Sequence, residues 1–137
     1  LSNSDSVEYY DSLPNIEESI KFGKNMSLKS SGLLKATIIC SFHYLLSEID
    51  EVLAEDFLTK LSTGIDLKQG SPILALRNKL LKSKNDESVR VTEDMLNKLI
   101  SYTWEKFVKN EIVKVIKLPE NYEINLYGSN AQKTLDF

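Results

Sequence analysis

The chain carries one histidine and one cysteine, His43 and Cys40, three residues apart in the run "ATIICSFHYLLSEID". An imidazole can act as a base or a ligand, and a thiolate as a nucleophile. On a helix these two side chains diverge by about 60°, and no basic neighbour is present to lower the thiol pKa. No second histidine completes a zinc set. His43, flanked at helical spacing by Ile39 and Ser47, is therefore expected to be a hydrogen-bonded core histidine. An enzyme reading would require it to be accessible. The acidic run Glu48, Asp50, Glu51, Glu55 and Asp56 lacks the glycine-centred loop of a calcium site, so it reads as a capped helix start with a solvated acidic face. No catalytic residue, metal or cofactor is expected from these groups.

The second set is basic. Arg77 lies in "GSPILALRNKLLKSK", inside the apolar face that Ile73, Leu74, Leu76, Leu80 and Leu81 define at 100° per residue. A guanidinium there must pair with a carboxylate, cap carbonyls or reach the surface. The structural reading gives it Glu51, Glu55 or Asp56 as partner; the functional one gives it a phosphate or a partner's carboxylate in a cleft. The structural reading is favoured, because buried polar groups are normally satisfied internally. Lys79, Lys82 and Lys84, with Lys114 and Lys117, could form a strip that follows a phosphate backbone. The net charge of −3 opposes that, since a negative chain has no global attraction to phosphate. The glycines are dispersed, so no phosphate-cradling loop is present.

The elements that position these residues are helices. Ser2 with Asp5, or Ser4, can cap a first helix with Val7, Tyr9 and Tyr10, stopped by Pro14. Asn15 and Glu18 resemble the capping box of a second, with Ile16, Ile20 and Phe22 on its apolar side and an end at Gly23 to Asn25. Ser30 or Ser31 starts a third, apolar all round from Leu33 to Ile49 and therefore central; its small-residue stripe Ala36, Cys40 and Ser47 invites close approach by a neighbour. Asp50 caps an amphipathic fourth, with Leu53, Ala54, Phe57, Leu58 and Leu61 on one side, and Gly64 supplies its left-handed end. Ser71 and Pro72 open a fifth. Thr92, Glu93 and Asp94 open the last, with Met95, Leu96, Leu99, Ile100, Tyr102 and Phe107 inward, Trp104 at the edge and Asn110 as the stop. Beyond it, "IVKVIKL" and "YEINLYG" are rich in β-branched and aromatic residues and predict a short strand or hairpin.

The expected fold is thus mainly α, a single helical domain of about six helices over residues 1–128 with a short C-terminal β element, and a loose tail over 129–137. A chain of 137 residues buries about two thirds of its unfolded surface without metal or disulfide staples. Its 42% hydrophobic and 27% charged content is that of a globular protein. No apolar stretch approaches the roughly 20 residues of a bilayer span, so no membrane partner is expected. A lone cysteine without a visible signal peptide suits the cytoplasm. Leu1 in first position suggests a trimmed chain.

From Thr63 to Leu81 the order "TG…L…GSP…ALRN.LL" resembles the C-terminal helical region of phage and prophage ParB-like proteins. "VEYYDSLPNIEESIKFGK", "FHYLLSEIDEVLAEDFLTKLSTG" and "WEKFVKNEIVKVIKL" agree with it. In the last, Trp104 and Phe107 match the family's aromatic pair, and Asn110 stands where a glycine is usual. The resemblance spans most of the chain. It implies an N-terminal half of ParB/sulfiredoxin-type fold with an Asp-Gly-Gln-His-Arg motif; that motif is absent here, so none of its chemistry transfers to a residue of this chain. What the resemblance implies is a non-catalytic accessory module, contacting a protein partner or the ParB-like domain, or assisting DNA association. The alternative is a helical domain that binds nucleic acid directly through Lys79, Lys82, Lys84, Lys114 and Lys117. Arg77 belongs to the matched stretch and is carried as a further candidate interaction residue.

Overall fold

The computed structural model describes residues 16–128, which are mainly helical. The expected first helix and the 129–137 tail lie outside them. Four helices follow in order: α1, Ile16–Lys29; α2, Ala36–Thr63; α3, Pro72–Asn85; and α4, Glu93–Val108, with a 3-10 turn over Glu87–Val89 between the last two.

Two of the six expected helices merge into α2, which nevertheless breaks where the sequence placed a boundary. Asp50 has φ −162° and ψ 104° inside the 28-residue run, and its Oδ1 accepts the Leu53 N–H at 3.0 Å. The aspartate does the work of an N-cap, satisfying one of the donors that the first turn leaves free. At the far end Gly64, at φ 74°, donates its N–H to the Lys60 carbonyl, as the left-handed stop requires. Thr92 caps α4 by accepting from Met95 N–H, and Asn110 leaves that helix at φ 55°.

Other boundaries differ from the sequence reading. α1 continues through Gly23 to Lys29, because Gly23 is not a stop but a contact. A Cβ there would lie 2.7 Å from the Ala36 carbonyl oxygen and 2.9 Å from the Cys40 nitrogen, so glycine lets α1 and α2 pack along the predicted small-residue stripe. The central helix begins at Ala36, not after Ser30 or Ser31. Ser30 instead turns the chain, its hydroxyl donating to the Ser27 and Leu34 carbonyls and accepting from Leu34 N–H. Ser71 occupies the N-cap position of α3 without a side-chain cap bond, leaving the start to Pro72.

The core fills the space between both arms of α2 and helices α3 and α4, with Leu46, Phe57, Leu61, Leu76, Ile100 and Trp104 fully buried. Trp104, expected at the edge, is central: it meets Phe57 edge-on at 5.4 Å, and its Nε1–H donates to the Tyr127 carbonyl at 3.0 Å. That bond also corrects the C-terminal β expectation. Among the described residues no strand forms, and 111–128 runs as irregular chain over the helices. The β-branched residues serve packing instead of a ladder: Ile116 is buried, Val113 N–H donates to the Gly70 carbonyl at 2.8 Å, and Tyr122 meets Tyr102 edge-on at 5.6 Å.

Candidate functional site

Arg77 sits on α3 beneath the C-terminal end of α2. One guanidinium nitrogen donates to the carbonyls of Leu61 and of Ser62, the latter at 3.1 Å. A Cβ at Gly64 would lie within 3.0 Å of three guanidinium atoms, so the planar group lies against the glycine stop. Three of the last four carbonyls of the helix are thereby satisfied. Gly64 N–H takes the Lys60 carbonyl, Arg77 takes the next two, and Ile65 N–H turns to the Thr63 hydroxyl at 3.2 Å. Carbonyls in the last turn have no partner within their own helix and carry the negative end of its dipole, which a cation satisfies. Burial pushes the Arg77 pKa down from its ordinary value. The expected carboxylate partners are corrected: Glu51 lines the hollow beside His43, Glu55 bonds His43, Asp56 pairs with Lys60, and Arg77 serves the backbone.

His43, expected to be a satisfied core residue, is 3% exposed and bonded at both nitrogens. Nδ1 lies 2.7 Å from Ser19 Oγ on α1, and Nε2 lies 2.9 Å from Glu55 Oε2. An ionised carboxylate only accepts, so Nε2 carries the proton toward Glu55; in the neutral ring Nδ1 is then the acceptor and the Ser19 hydroxyl donates. Phe22 stacks on the ring at 4.2 Å and fixes its plane. His43 and Glu55 are twelve residues apart, about 18 Å along a straight helix. The break at Asp50 folds the two arms of α2 toward one another, and this bond ties them. A hollow of about 180 Å³ opens beside the histidine, lined by Ser19, Ser47, Glu48 and Glu51 among others. Among the described residues, no group of three or more His, Cys, Asp or Glu side chains is placed to hold a metal ion. Burial raises the Cys40 pKa.

The five strip lysines come from two parts of the chain. Lys79, Lys82 and Lys84 lie on α3, with Lys82 and Lys84 in its last turn. Lys114 follows Val113, which is bonded to Gly70 just before the helix starts. Lys114 and Lys117 are exposed. Lys84 instead reaches across to the 30–35 turn, where its Nζ donates to the Ser31 carbonyl at 3.3 Å.

That contact borders a further set of cations that no sequence motif marks. Lys35 and Arg90 line one concavity of about 390 Å³, together with Gly32, Leu33 and Leu96. A Cβ on Gly32 would lie 3.5 Å from Lys84 Nζ, so three cations border the same turn. Nothing in a periodic pattern could have paired Lys35 with Arg90, because both lie in connections between helices. A second concavity of about 300 Å³ shares Ile38 and Glu93 with the first. No helix among the described residues is long and apolar enough to cross a membrane. None of the protein families, curated proteins or solved structures compared with this chain matches it.

Proposed function

We propose that this chain is a non-catalytic interaction module, the helical accessory part of a phage-type ParB-like protein, which contacts a protein partner or the ParB-like domain itself. The observation that carries this reading is where polar and apolar groups sit. The two side chains best suited to chemistry, Arg77 and His43, are engaged in holding helices together. Meanwhile Ile112 and Val115, on one irregular segment, stand 82% and 79% exposed. Exposed aliphatic groups gain by being covered, at about 25 cal/mol per Å².

Direct nucleic-acid binding is the second reading, and one observation favours it: Lys79, Lys82, Lys114 and Lys117 make no ion pair with a described carboxylate. The two readings separate by calorimetric titration of the chain against an isolated ParB-like domain with the Asp-Gly-Gln-His-Arg motif, beside fluorescent duplex DNA, each at two salt concentrations. Association with the domain that barely responds to salt supports the module. DNA affinity that falls steeply with salt and is lost in a Lys79→Glu/Lys82→Glu variant supports the lysine strip instead.

A further inference from the structure

The two concavities that share Ile38 and Glu93 form one groove between the first arm of α2, the start of α4 and the C-terminal segment. Apolar residues line it, among them Leu33, Ile38, Leu45 and Leu126, beside polar ones such as Thr37 and Asn97. The sequence builds this groove from three local choices. The Thr92 cap sets where α4 begins, the Ser30 turn brings Leu33 and Lys35 to the entrance of α2, and the Trp104 bond to the Tyr127 carbonyl holds the C-terminal segment against the helices.

One end of the groove is strongly basic. Lys35 and Arg90 line it, and Lys84 stands over Gly32 at the same end. None of the three is within ion-pair distance of a described carboxylate. The chain has 20 acidic residues against 17 basic ones, so acids are plentiful, yet Glu93 is the single acid in the lining and lies at the junction of the two halves. Among the described residues three cations thus face one acid, and clustered like charges that are costly in a free protein become favourable against an anionic ligand.

We propose that the groove receives a short apolar peptide segment of a protein partner, with acidic side chains at the Lys35–Lys84–Arg90 end and aliphatic or aromatic side chains along the floor. The proposal rests on the reading of the chain as an interaction module and supplies that reading with a site and a partner chemistry. A mixed lining with its cations at one end favours a peptide over nucleic acid. A nucleic-acid groove carries cations along the track of a phosphate backbone, with aromatic platforms for bases, whereas here the cations are confined to one end.

The test is selection of a randomised twelve-residue display library on the immobilised full chain. Selected peptides are then measured by fluorescence anisotropy against the chain, a Lys35→Glu/Arg90→Glu variant and a Leu45→Asp variant. All three positions are exposed, so the variants should keep the parent melting curve. The expected result is enrichment of peptides with acids at one end and Leu, Ile or Phe along the remainder, and affinity at least about tenfold weaker for each variant, the scale of one lost charge pair or anchor. Peptides without that pattern, peptides that bind all three proteins equally, or no enrichment at all would overturn the groove. If the ParB-like domain still binds in any of those cases, the interaction module stands without this site. Duplex DNA that binds the chain and is released by the Lys35→Glu/Arg90→Glu variant, with no peptide selected, would assign the basic end to nucleic acid and overturn the peptide proposal.

Discussion

Helix α2 has two joints, and they are held in opposite ways. At the Asp50 break the fastening is made between side chains, Ser19 to His43 to Glu55. At the Gly64 end a side chain holds backbone, Arg77 on the Leu61 and Ser62 carbonyls. Side-chain partners can be replaced together by apolar groups. Carbonyl acceptors remain whatever is substituted, so a buried acceptor that loses its donor keeps its full desolvation penalty. The Gly64 joint should therefore be the less forgiving of the two.

Arg77→Met tests this most severely. It leaves two carbonyls of buried residues without a donor and removes a cation from the negative helix end, and it should cost about 2–4 kcal/mol, read as a lower urea midpoint at constant slope. An unchanged midpoint would show that water serves the carbonyls equally well. Gly64→Ala should cost about 2 kcal/mol, from the left-handed backbone and from displacing the guanidinium. In an Arg77→Met background the same change should cost measurably less, because one of its two causes has gone; a double-mutant cycle with no coupling would break the account of this joint.

At the Asp50 joint the effects are smaller. Ser19→Ala leaves His43 Nδ1 without its donor and should cost about 1 kcal/mol by thermal denaturation. His43→Phe should cost less than Ser19→Ala. A phenyl ring can keep the stack on Phe22, the serine hydroxyl can turn to a carbonyl of its own helix, and the Glu55 side chain, 46% exposed, is solvated. If His43→Phe proves as damaging as Arg77→Met, the two joints are not held differently.

The stops of both joints were legible in the sequence, and their fastenings were not. Asp50 before an amphipathic run and Gly64 after it announce a cap and a left-handed end through residue type alone. Arg77 was legible as a charge among leucines, but its partners were not: every residue has a carbonyl, so a backbone acceptor leaves no trace in residue type. His43 was legible as a polar group in a core. Its partners lie 24 and 12 residues away, and only the fold at Asp50 brings the second within reach. The "IVKVIKL" segment misled for a different reason. β-branched residues suit any half-buried extended chain as well as a strand, and without a neighbouring strand Val113 and Ile116 pack against helices. The basic end of the groove was invisible, because two of its three cations come from loops.

The close seating of Gly23 on Ala36 and Cys40 makes the molecule's single thiol a clock. Cys40 is buried at that contact, and burial holds its pKa above the ordinary thiol value, so reagents that need a thiolate react slowly with the closed form. Labelling should proceed when α1 lifts away, at a rate set by how often that helix opens, and Gly23→Ala, which forces the helices apart, should quicken it. The rate of thiol modification then reports the local stability of one helix in an otherwise folded protein.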